Sequence, residues 1–548
     1  SRGLKRALLI LWGNKMKKKY FGMFALAAMI LSACSNDDIG SSGNSDIVTD
    51  PTGEAWVALK VITPSTPVTR ALNNPDFENG TEPESEIKTV RAIFFTKDAD
   101  PVVTADIELT NDEAGLSSTG QPTGTAGTAF KIPATSKRIL LVANPSAKFP
   151  DKITTVSKAY SVINAEIAEE AGLISSTNGF MMTNAKGHLE PSLSNGDDTD
   201  LVLYKTSQAA TTSPLSVNID RVVAKVRVAI NANTESSATI NLDNGGWLLN
   251  VTNKKYFPVS ERLATWYETN GGGFRAPFDQ YRKGSYRKDP NFASHNVGTD
   301  YTYVAADPGD GNWLASGTSK YCLENTQDAA SNMHAYTTHV LFKAKFIPNE
   351  YKMPGTATAS TDQDEKGDWM LINGGYYTFT TLMSWIEAEL TYKFNQPEPL
   401  LISTALTSAF NKYLGTESIG IGEVVLPDDK AGIPATMNDF RNKKAAILGK
   451  SDTERAKTVG SLTYYAGAVC YYKAIIKHDD TDAAVNELGE FGVVRNSVYD
   501  IVVSKFNNPG YPIIPDPGTD EPDEEDEKWL SIQINVNPWT WYKQVEEF

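Results

Sequence analysis

Apolar and polar residues alternate over many short stretches of this chain, and a period of two indicates β-strands with one buried face. A long example is residues 215–230, where apolar residues alternate with Arg221, Lys225 and Arg227. Long helical periods are few, and we predict helices at residues 380–390 and residues 161–174. The pattern therefore indicates a mostly β protein with a few short helices.

Length and charge set the first bounds on the class of protein. A chain of 548 residues exceeds what one ordinary core can hold, so we predict two domains, with a boundary near residue 220. The first would cover residues 71–220 and the second residues 221–506. The net charge of −16 argues against nucleic acid and against an anionic membrane surface as partners.

The beginning of the chain has the pattern of an export signal. Met16 begins "MKKKYFGMFALAAMILSAC", whose apolar run is shorter than the roughly 20 residues that span a bilayer. We assign residues 1–15 to an upstream artefact, residues 16–33 to a signal peptide and residues 34–53 to a disordered tether. The "LSAC" ending resembles a bacterial lipobox, in which Cys34 would carry the lipid. A plain signal peptide that contains this cysteine by chance is the alternative.

A strand pattern near the start of the exported chain leads into a segment that suits proteolysis. Val57, Leu59 and Val61 share one face of a strand, and two prolines after it keep the chain extended. Arg70 follows in "PVTRAL", and proteases bind their substrates as extended, exposed segments of this kind. Arg70 is therefore a candidate cleavage site. The alternative is an extended loop that is not processed.

The chain ends on an apolar strand pattern that follows an acidic linker. Residues 515–528 contain eight acidic residues and no apolar one, so they cannot form a core and repel one another. The strand that follows needs a sheet for its apolar face and its backbone. It can return to its own domain, but residues 507–528 can span roughly 70 Å and so allow another destination. The apolar residues that share one face of the strand are Leu530, Ile532, Ile534 and Val536.

The patterns of the common enzyme classes are absent from the sequence, which contains no GxSxG, HExxH, phosphate-binding loop or GxGxxG before a helix. His334 and His339 would lie on opposite faces of a strand, which argues against joint metal binding. Asp362 and Asp364 begin a loop similar to a calcium site, but Asn373 replaces the expected glutamate. We predict a solvated hairpin loop there, and we assign no catalytic, cofactor-binding or metal-binding residue.

Two cysteines remain in the exported chain, Cys322 and Cys470, and both lie in strand patterns. No CxxC pair exists, so the sequence gives no support to a redox or zinc site. An oxidising compartment would permit a disulfide between the two residues. Two buried thiols are the interpretation that we favour.

Several motifs in one order resemble the Bacteroidota fimbrillins, the shaft subunits of type V pili, and most closely the short (minor) fimbria family. The most specific combination is Arg495, Asn496 and Tyr499, followed by a strand, a linker and a Pro-Trp tail. The motifs that carry the resemblance are the lipobox at Cys34, the first strand ending in Arg70, "GLISSTNGFMMT", "YCLEN" (Tyr321–Asn325), "VLFKAKF", "VVRNSVYDIVV" (Val493–Val503), the Pro/Asp linker and "QINVNPWTW".

The resemblance implies two transthyretin-like Greek-key β-sandwich domains and an assembly mechanism. The precursor would be a lipoprotein (palmitate on Cys34) in the outer membrane, and an Arg-specific protease would cut after Arg70, making Ala71 the new N-terminus. This cut would remove residues 54–70, with the strand of Val57, Leu59 and Val61, and leave a groove. Residues 529–548 of a neighbouring subunit would then enter the groove as a donor strand. This strand would include the residues Leu530, Ile532, Ile534, Val536, Trp539 and Trp541.

The resemblance also implies the partners and the location of the protein. The partners would be further copies of the same chain, anchor and tip subunits and the protease, in a cell-surface fimbrium that supports adhesion, without a cofactor. Two alternatives stay open: a surface glycan-binding lipoprotein, and an anchor or accessory fimbrial subunit. Most of the 23 tyrosines fall within strand patterns, which favours sheet packing over a sugar-binding platform.

Overall fold

The structure is a computed structural model, and it describes most of the chain between residues 46 and 538. The described residues are 46–62, 80–153, 158–176, 178–185, 200–231, 237–263, 286–355, 359–396, 405–478, 488–517, 523 and, for the backbone, 530–538. Six residues named above lie outside these ranges: Met16, Cys34, Arg70, Ala71, Trp539 and Trp541. Over the described residues the protein is mostly β, so the predicted fold class is confirmed. None of the described helices is both long and apolar enough to cross a membrane.

Eight main strands build the first unit of the fold. Six of them form one sheet in the order β2-β8-β7-β6-β3-β4, and β1 pairs with β5 in a separate ribbon. Only the outer pair β2–β8 is parallel; the other neighbours in this sheet are antiparallel. The strands are β1 (Glu54–Val57), β2 (Leu59–Ile62), β3 (Val90–Phe95), β4 (Val103–Leu109), β5 (Phe130–Pro133), β6 (Arg138–Ala143), β7 (Met182–Asn184) and β8 (Leu215–Arg221).

The centre of this sheet is covered on both faces. Every residue of β3 ("VRAIFF") and of β6 ("RILLVA") is buried, which explains why, apart from Arg91 and Arg138, these strands are apolar at consecutive positions and do not alternate. The ribbon of β1 and β5 adds Val57 and Phe130 to the same core. The buried cation Arg91 is neutralised by Asp106, with 2.6 Å between Nη2 and Oδ2. One contiguous core therefore joins the ribbon to the sheet.

The second unit is a sandwich of two sheets. One sheet has the order β11-β9-β18-β19 and the other the order β10-β12-β17, and the facing residues of both form one core. In the first sheet, β18 is parallel to β9 and antiparallel to β19. The strands of this sandwich are β9 (Val223–Ile230), β10 (Ala238–Asn250), β11 (Ser319–Leu323), β12 (His339–Pro348), β17 (Val469–Ile475), β18 (Ser497–Phe506) and β19 (Leu530–Pro538).

A layer of helices on a small sheet is inserted between β12 and β17 and has a core of its own. The small sheet has the order β14-β13-β16-β15. Of the three helices, the sequence predicted only the first. The elements are β13 (Trp369–Ile372), β14 (Gly375–Tyr377), β15 (Lys457–Val459), β16 (Leu462–Tyr465), α1 (Phe379–Phe394), α2 (Ala405–Leu414) and α3 (Ile433–Leu448).

The sequence predicts a solvated loop at Asp362 and Asp364; Asp362 is exposed, but Asp364 is buried at the start of this layer. The residue is 8% exposed, and its Oδ2 accepts the backbone N–H of Phe379 at 2.6 Å. Its Oδ1 accepts the hydroxyl of Thr380 and an N–H of Lys444, which lies on α3. A carboxylate at a helix N-terminus satisfies a free donor and is favoured by the helix dipole. Asp364 therefore fastens α1 to α3.

The helix predicted over residues 161–174 is wrong. Two single turns, Tyr160–Ile163 and Ala171–Ile174, stand there, with the strand Ile167–Ala168 between them. That strand pairs with Lys255–Tyr256, and Val162 is 52% exposed. Pairing with a distant strand therefore outweighs a weak local helical preference.

The remaining elements are short. The short strands are Ser175–Ser176, Gly179–Phe180, Thr252–Asn253, Glu261–Arg262, Arg287–Lys288, Tyr301–Thr302, Tyr351–Lys352 and Ala359–Ser360. The short helices are Glu82–Ser85, Asn111–Ala114, Ser207–Thr212, Asp310–Asn312, Ala329–Ser331, Lys430–Gly432, Asp452–Arg455 and Ala466–Ala468.

The motif residues Arg495 and Glu324 form a buried ion pair near the junction of the two units. The Nε of Arg495 lies 3.2 Å from Glu324 Oε2, and its other nitrogens donate to the carbonyl oxygens of Phe257 and Pro258. Every guanidinium nitrogen thus has an acceptor, which a buried cation requires. The "YCLEN" and "VVRNSVYDIVV" motifs of the sequence therefore meet in space.

Asn496, the next residue of the motif, bridges the units directly. Its backbone has a φ of +55°, a left-handed conformation that asparagine tolerates better than most residues. Its side-chain amide donates to Asp220 Oδ1 at 3.0 Å and accepts the backbone N–H of Arg221, both on β8. Asn496 N–H also donates to the carbonyl of Val223. This residue thus ties the start of β18 to the point where the chain passes from β8 to β9.

Candidate assembly site

The segment 46–62 is held by three separate parts of the first unit. β2 pairs in parallel with β8, with Leu59 beside Leu215 and Val61 beside Val217. Trp56 and Tyr204 exchange two backbone hydrogen bonds of 2.8 and 2.9 Å. β1 pairs along its whole length with β5. Removing this segment would therefore break three sets of backbone hydrogen bonds at once.

The predicted apolar face of this segment is buried. Val57, Leu59 and Val61 are each at most 1% exposed and belong to the core of the first unit. Ala58 is equally buried, although simple alternation had placed it on the opposite face. It stands between β1 and β2, where the chain changes partner and the alternation is interrupted. Lys60 is only half-buried, as alternation predicts.

β2 is the outermost strand of its sheet, so only one strand in this sheet is its neighbour. Without β2, the edge of β8 from Leu215 to Asn218 would lose its partner, and the core residues beside it would meet water. Val57, Leu59 and Val61 would leave the core with the segment, each worth roughly 1.5–3 kcal/mol. The segment thus fills a position that would be an apolar groove with a free sheet edge.

The terminal strand β19 pairs with β18 of the same chain. It is the outermost strand of its sheet, and its ladder joins residues 530–538 to residues 497–506 with one shift beside Ser504. The alternate residues of the tail stand opposite core residues of β18: Leu530 opposite Phe506, Ile532 opposite Val503, Ile534 opposite Ile501, and Val536 opposite Tyr499. The sequence left two destinations open for this strand, its own domain or another molecule. In the structure of the single chain, the strand pairs with its own domain.

The first half of the linker packs on its own domain. Tyr511 and Tyr471 of β17 exchange two backbone hydrogen bonds of 2.8 and 2.7 Å, and the Tyr465 hydroxyl donates to the carbonyl of Gly510. A Cβ on Gly510 would lie 2.2 Å from the Tyr471 carbonyl oxygen, so this close approach requires glycine. Ile514 packs against a small apolar cluster outside the sandwich. Residues 510–514 are thus a docked strap and not a free leash.

The remaining candidate residues have structural surroundings. Cys322 lies in β11 and Cys470 in β17, and both are buried, free thiols; burial raises the pKa of Cys322 to about 12. His339 is buried, which lowers its pKa to about 3, and it contacts Asn250 and the carbonyl of Thr337. Among the residues that the structure describes, no three histidine, cysteine or carboxylate side chains are grouped to hold a metal ion.

The comparison with protein families agrees with the resemblance seen in the sequence. Residues 463–545 match the family described as "Major fimbrial subunit protein type IV, Fimbrillin, C-terminal". This range holds most of the β16 strand, β17, β18, the linker and β19. The predicted resemblance to the fimbrillins is thus confirmed, through a match over the C-terminal part of the chain. No curated protein matches the sequence.

Solved structures with low sequence identity are also similar to this chain. They include a putative cell adhesion protein from Parabacteroides distasonis, at 14% identity and a TM-score of 0.37, covering 89% of this chain and 98% of that one. A fimbrilin (FimA) from Porphyromonas gingivalis has 13% identity and a TM-score of 0.37, with 91% and 100% covered. The tip fimbrial protein Mfa3 from the same organism has 10% identity and a TM-score of 0.32, with 89% and 100% covered.

Proposed function

We propose that this protein is the shaft subunit of a cell-surface fimbrium and that it polymerises by exchanging its terminal strand. The precursor is exported as a lipoprotein through Cys34, an Arg-specific protease cuts it after Arg70, and β19 of one subunit enters the first unit of the next. Its partners are further copies of itself and the anchor and tip subunits of the same fimbrium, which supports adhesion. The fimbrillin match of residues 463–545 supports the class of protein.

One observation carries the proposal: the segment before Arg70 fills an outer position in the first unit that cleavage would vacate. β1 and β2 run from Glu54 to Ile62 and bury an apolar face in the core. Arg70 follows them in the sequence and lies before β3, so one cut separates both strands from the rest of the chain. The remaining body keeps every other strand of the sheet.

The terminal strand has the properties of a replacement. β19 has nine residues, a length similar to that of residues 54–62, and both carry alternating apolar residues. In the part of the chain that the structure describes, the one neighbour of β19 in its sheet is β18, so leaving the sheet breaks one set of ladder hydrogen bonds. Entry into a vacated edge restores a ladder and buries apolar residues there, and a preformed groove keeps the entropic cost of ordering low.

A mixing experiment tests both halves of the proposal. A chain of residues 71–528 has a vacated groove but no tail, so it accepts a donor strand and passes none on. Added to the processed subunit (residues 71–548), it should stop the growth of the polymers. The series of polymer bands on gels of unheated protein should then become shorter. The matched control is residues 46–528, which also lacks the tail but keeps the groove filled, and which should leave the polymer length unchanged.

Three outcomes would overturn the proposal. The first is a polymer formed by residues 71–528 alone, because that chain has no donor strand. The second is a chain of residues 71–528 that folds, as judged by cooperative thermal unfolding, and yet leaves the polymer length unchanged. The third is equal shortening by residues 46–528, because the filled groove of that chain should exclude a donor.

A further inference from the structure

One acidic residue of the linker is buried, although its neighbours in the sequence are carboxylates and prolines. Asp523 is 3% exposed, and its Oδ2 accepts the hydroxyl of Thr337 at 2.5 Å. Its backbone N–H donates to the carbonyl of Asn332 at 3.2 Å. Thr337 and Asn332 lie between β11 and β12, in the body of the second unit. The linker is thus fastened at a second point, beyond the strap of residues 510–514.

The surroundings of Asp523 are polar and mostly buried. Gln327 donates an amide N–H to the Thr337 hydroxyl, which fixes the hydroxyl for Asp523. Burial is the main cause that raises the pKa of Asp523, to about 7. The charge of Glu490 raises it further, while the Thr337 hydrogen bond and the charge of Lys473 on β17 lower it. Lys473 itself contacts His334 Nδ1 at 2.7 Å.

The position of the last anchor limits how far the tail strand can travel. Residues 524–529 separate Asp523 from β19 and span at most roughly 20 Å. With Asp523 released, the last anchor described is Ile514, and residues 515–529 span at most roughly 50 Å. A donor strand must cross from its own sheet to a groove in another molecule. The reach of roughly 50 Å with Asp523 released therefore suits strand exchange better than the reach of roughly 20 Å with Asp523 docked.

We infer that Asp523 is a latch that confines the terminal strand to its own subunit, and that release of the latch controls the rate of strand exchange. This inference rests on the proposed function and adds a control step to it. The latch acts on the linker and not on β19 itself. The ladder between β18 and β19 can therefore open and close repeatedly while the strand stays within reach of its own sheet alone.

The difference in proton binding between the docked and the free linker predicts how the docking of Asp523 changes with pH. The carboxyl of a free linker has a pKa near 3.8, and the docked carboxyl has a pKa of about 7, so the docked state holds a proton more tightly. Docking therefore weakens as the pH rises from about 4 to about 7 and is weakest above this range. Between pH 6 and pH 8 the docking equilibrium falls by about tenfold. Strand exchange should be faster at pH 8.

The test compares three substitutions in the full chain. Asp523→Ala removes the latch, and Asp523→Asn keeps the shape and the Thr337 contact but cannot titrate. Asp526→Ala is the matched control, since it removes the same charge from the same linker. Thermal unfolding of each variant shows that the body is folded. Two readouts follow: hydrogen exchange of the linker peptide in the uncut chain, and the half-time of polymerisation after cleavage.

Asp523→Ala should raise hydrogen exchange around residue 523 and shorten the polymerisation half-time at pH 6 by about three- to tenfold, the loss expected for a hydrogen bond between neutral groups, because docked Asp523 is mostly protonated at pH 6. Asp523→Asn should polymerise at a rate that is the same at pH 6 and pH 8, while the unsubstituted chain accelerates about tenfold. The latch is disproved if Asp523→Ala behaves like Asp526→Ala in both readouts. If the unsubstituted, cleaved chain forms no polymer, the proposed function fails, and hydrogen exchange in the uncut chain still decides on the latch.

Discussion

The two terminal strands of this protein are both outermost in their sheets, yet the chain holds them in different ways. β2 continues from β1, so the segment contacts β8, β5 and Tyr204, and Val57, Leu59 and Val61 are at most 1% exposed. β19 has a single neighbour, β18, and lies beyond the linker. The segment of β2 is thus joined to several parts of the first unit, and β19 is joined to one neighbouring strand in its sheet. On the proposed mechanism, the first would leave only after the chain is cut, and the second would leave when its ladder opens.

This difference suggests a division of labour in assembly. On the proposed mechanism, a groove in the core of the first unit would be a strong acceptor, because it would offer both a free edge and buried apolar contacts. Transfer of β19 from the edge of β18 to this groove would then be favourable once the resident segment has gone. Proteolysis would supply that condition.

The largest expected effect comes from Arg70→Ala. Without the cut, residues 46–62 stay in the first unit, no acceptor groove forms, and polymerisation should stop entirely. The protein should accumulate as a lipid-linked precursor, which mass spectrometry of the membrane fraction would detect. Arg91→Ala would be a poor control because that side chain pairs with buried Asp106. Lys97→Ala, at an exposed cation outside any strand, is the suitable one.

Arg70→Lys sharpens the same experiment. A protease specific for arginine should leave this variant uncut, while trypsin added to the purified protein should restore both the cut and the polymer. Polymers from uncut Arg70→Ala protein would show that a groove is available without cleavage, and the comparison between the two strands would lose its basis.

Leu59→Ala should have the next largest effect. It should lower the unfolding free energy of the precursor but not that of the cleaved protein. Leu59 is fully buried, and removing such a side chain typically costs about 2–5 kcal/mol of unfolding free energy. The cost should appear in denaturant unfolding of the precursor and disappear after cleavage, because the residue leaves with the segment. Lys60→Ala, one position away and half-buried, should change the precursor by less than about 0.5 kcal/mol. A penalty that persists in the cut protein would mean that the segment remains bound.

Local sequence patterns predicted which residues form strands better than they predicted which strands pair with one another. Alternation identified Val57, Leu59 and Val61 as one buried face, because the period of a strand is a property of the backbone. Ala58 was misplaced, because the change of partner between β1 and β2 depends on β5 and β8, which are distant in the sequence. The role of Asn496 in joining the two units is likewise set by a contact with Asp220, some 276 positions away.

The helical layer has a sequence signal of its own in α2. In α2, the residues Leu406, Ala409, Phe410 and Tyr413 repeat at helical spacing and are all buried. Asp523 had no such signal, since eight carboxylates of the linker have equivalent surroundings in the sequence. Only the fold brings Thr337 and Asn332 to one of them. Side chains that act through distant contacts are therefore the part that the sequence leaves undetermined.

The smallest expected effect separates the two strands most directly. Ile534 stands opposite Ile501 in the ladder with β18, and Ile534→Ala would remove about 2 kcal/mol of stability wherever this position is buried. The same residue would lie in the acceptor groove of the polymer, so the loss of stability should persist after processing. Polymers of the variant should dissociate at a lower temperature when samples heated to a series of temperatures are run on gels. This behaviour is the opposite of that of Leu59→Ala, whose effect ends at the cut. Gln533→Ala, at the neighbouring position of opposite alternation, is the control. If Ile534→Ala destabilised the uncut monomer but left the polymer unchanged, β19 would belong to its own sheet alone, and another segment would have to join the subunits.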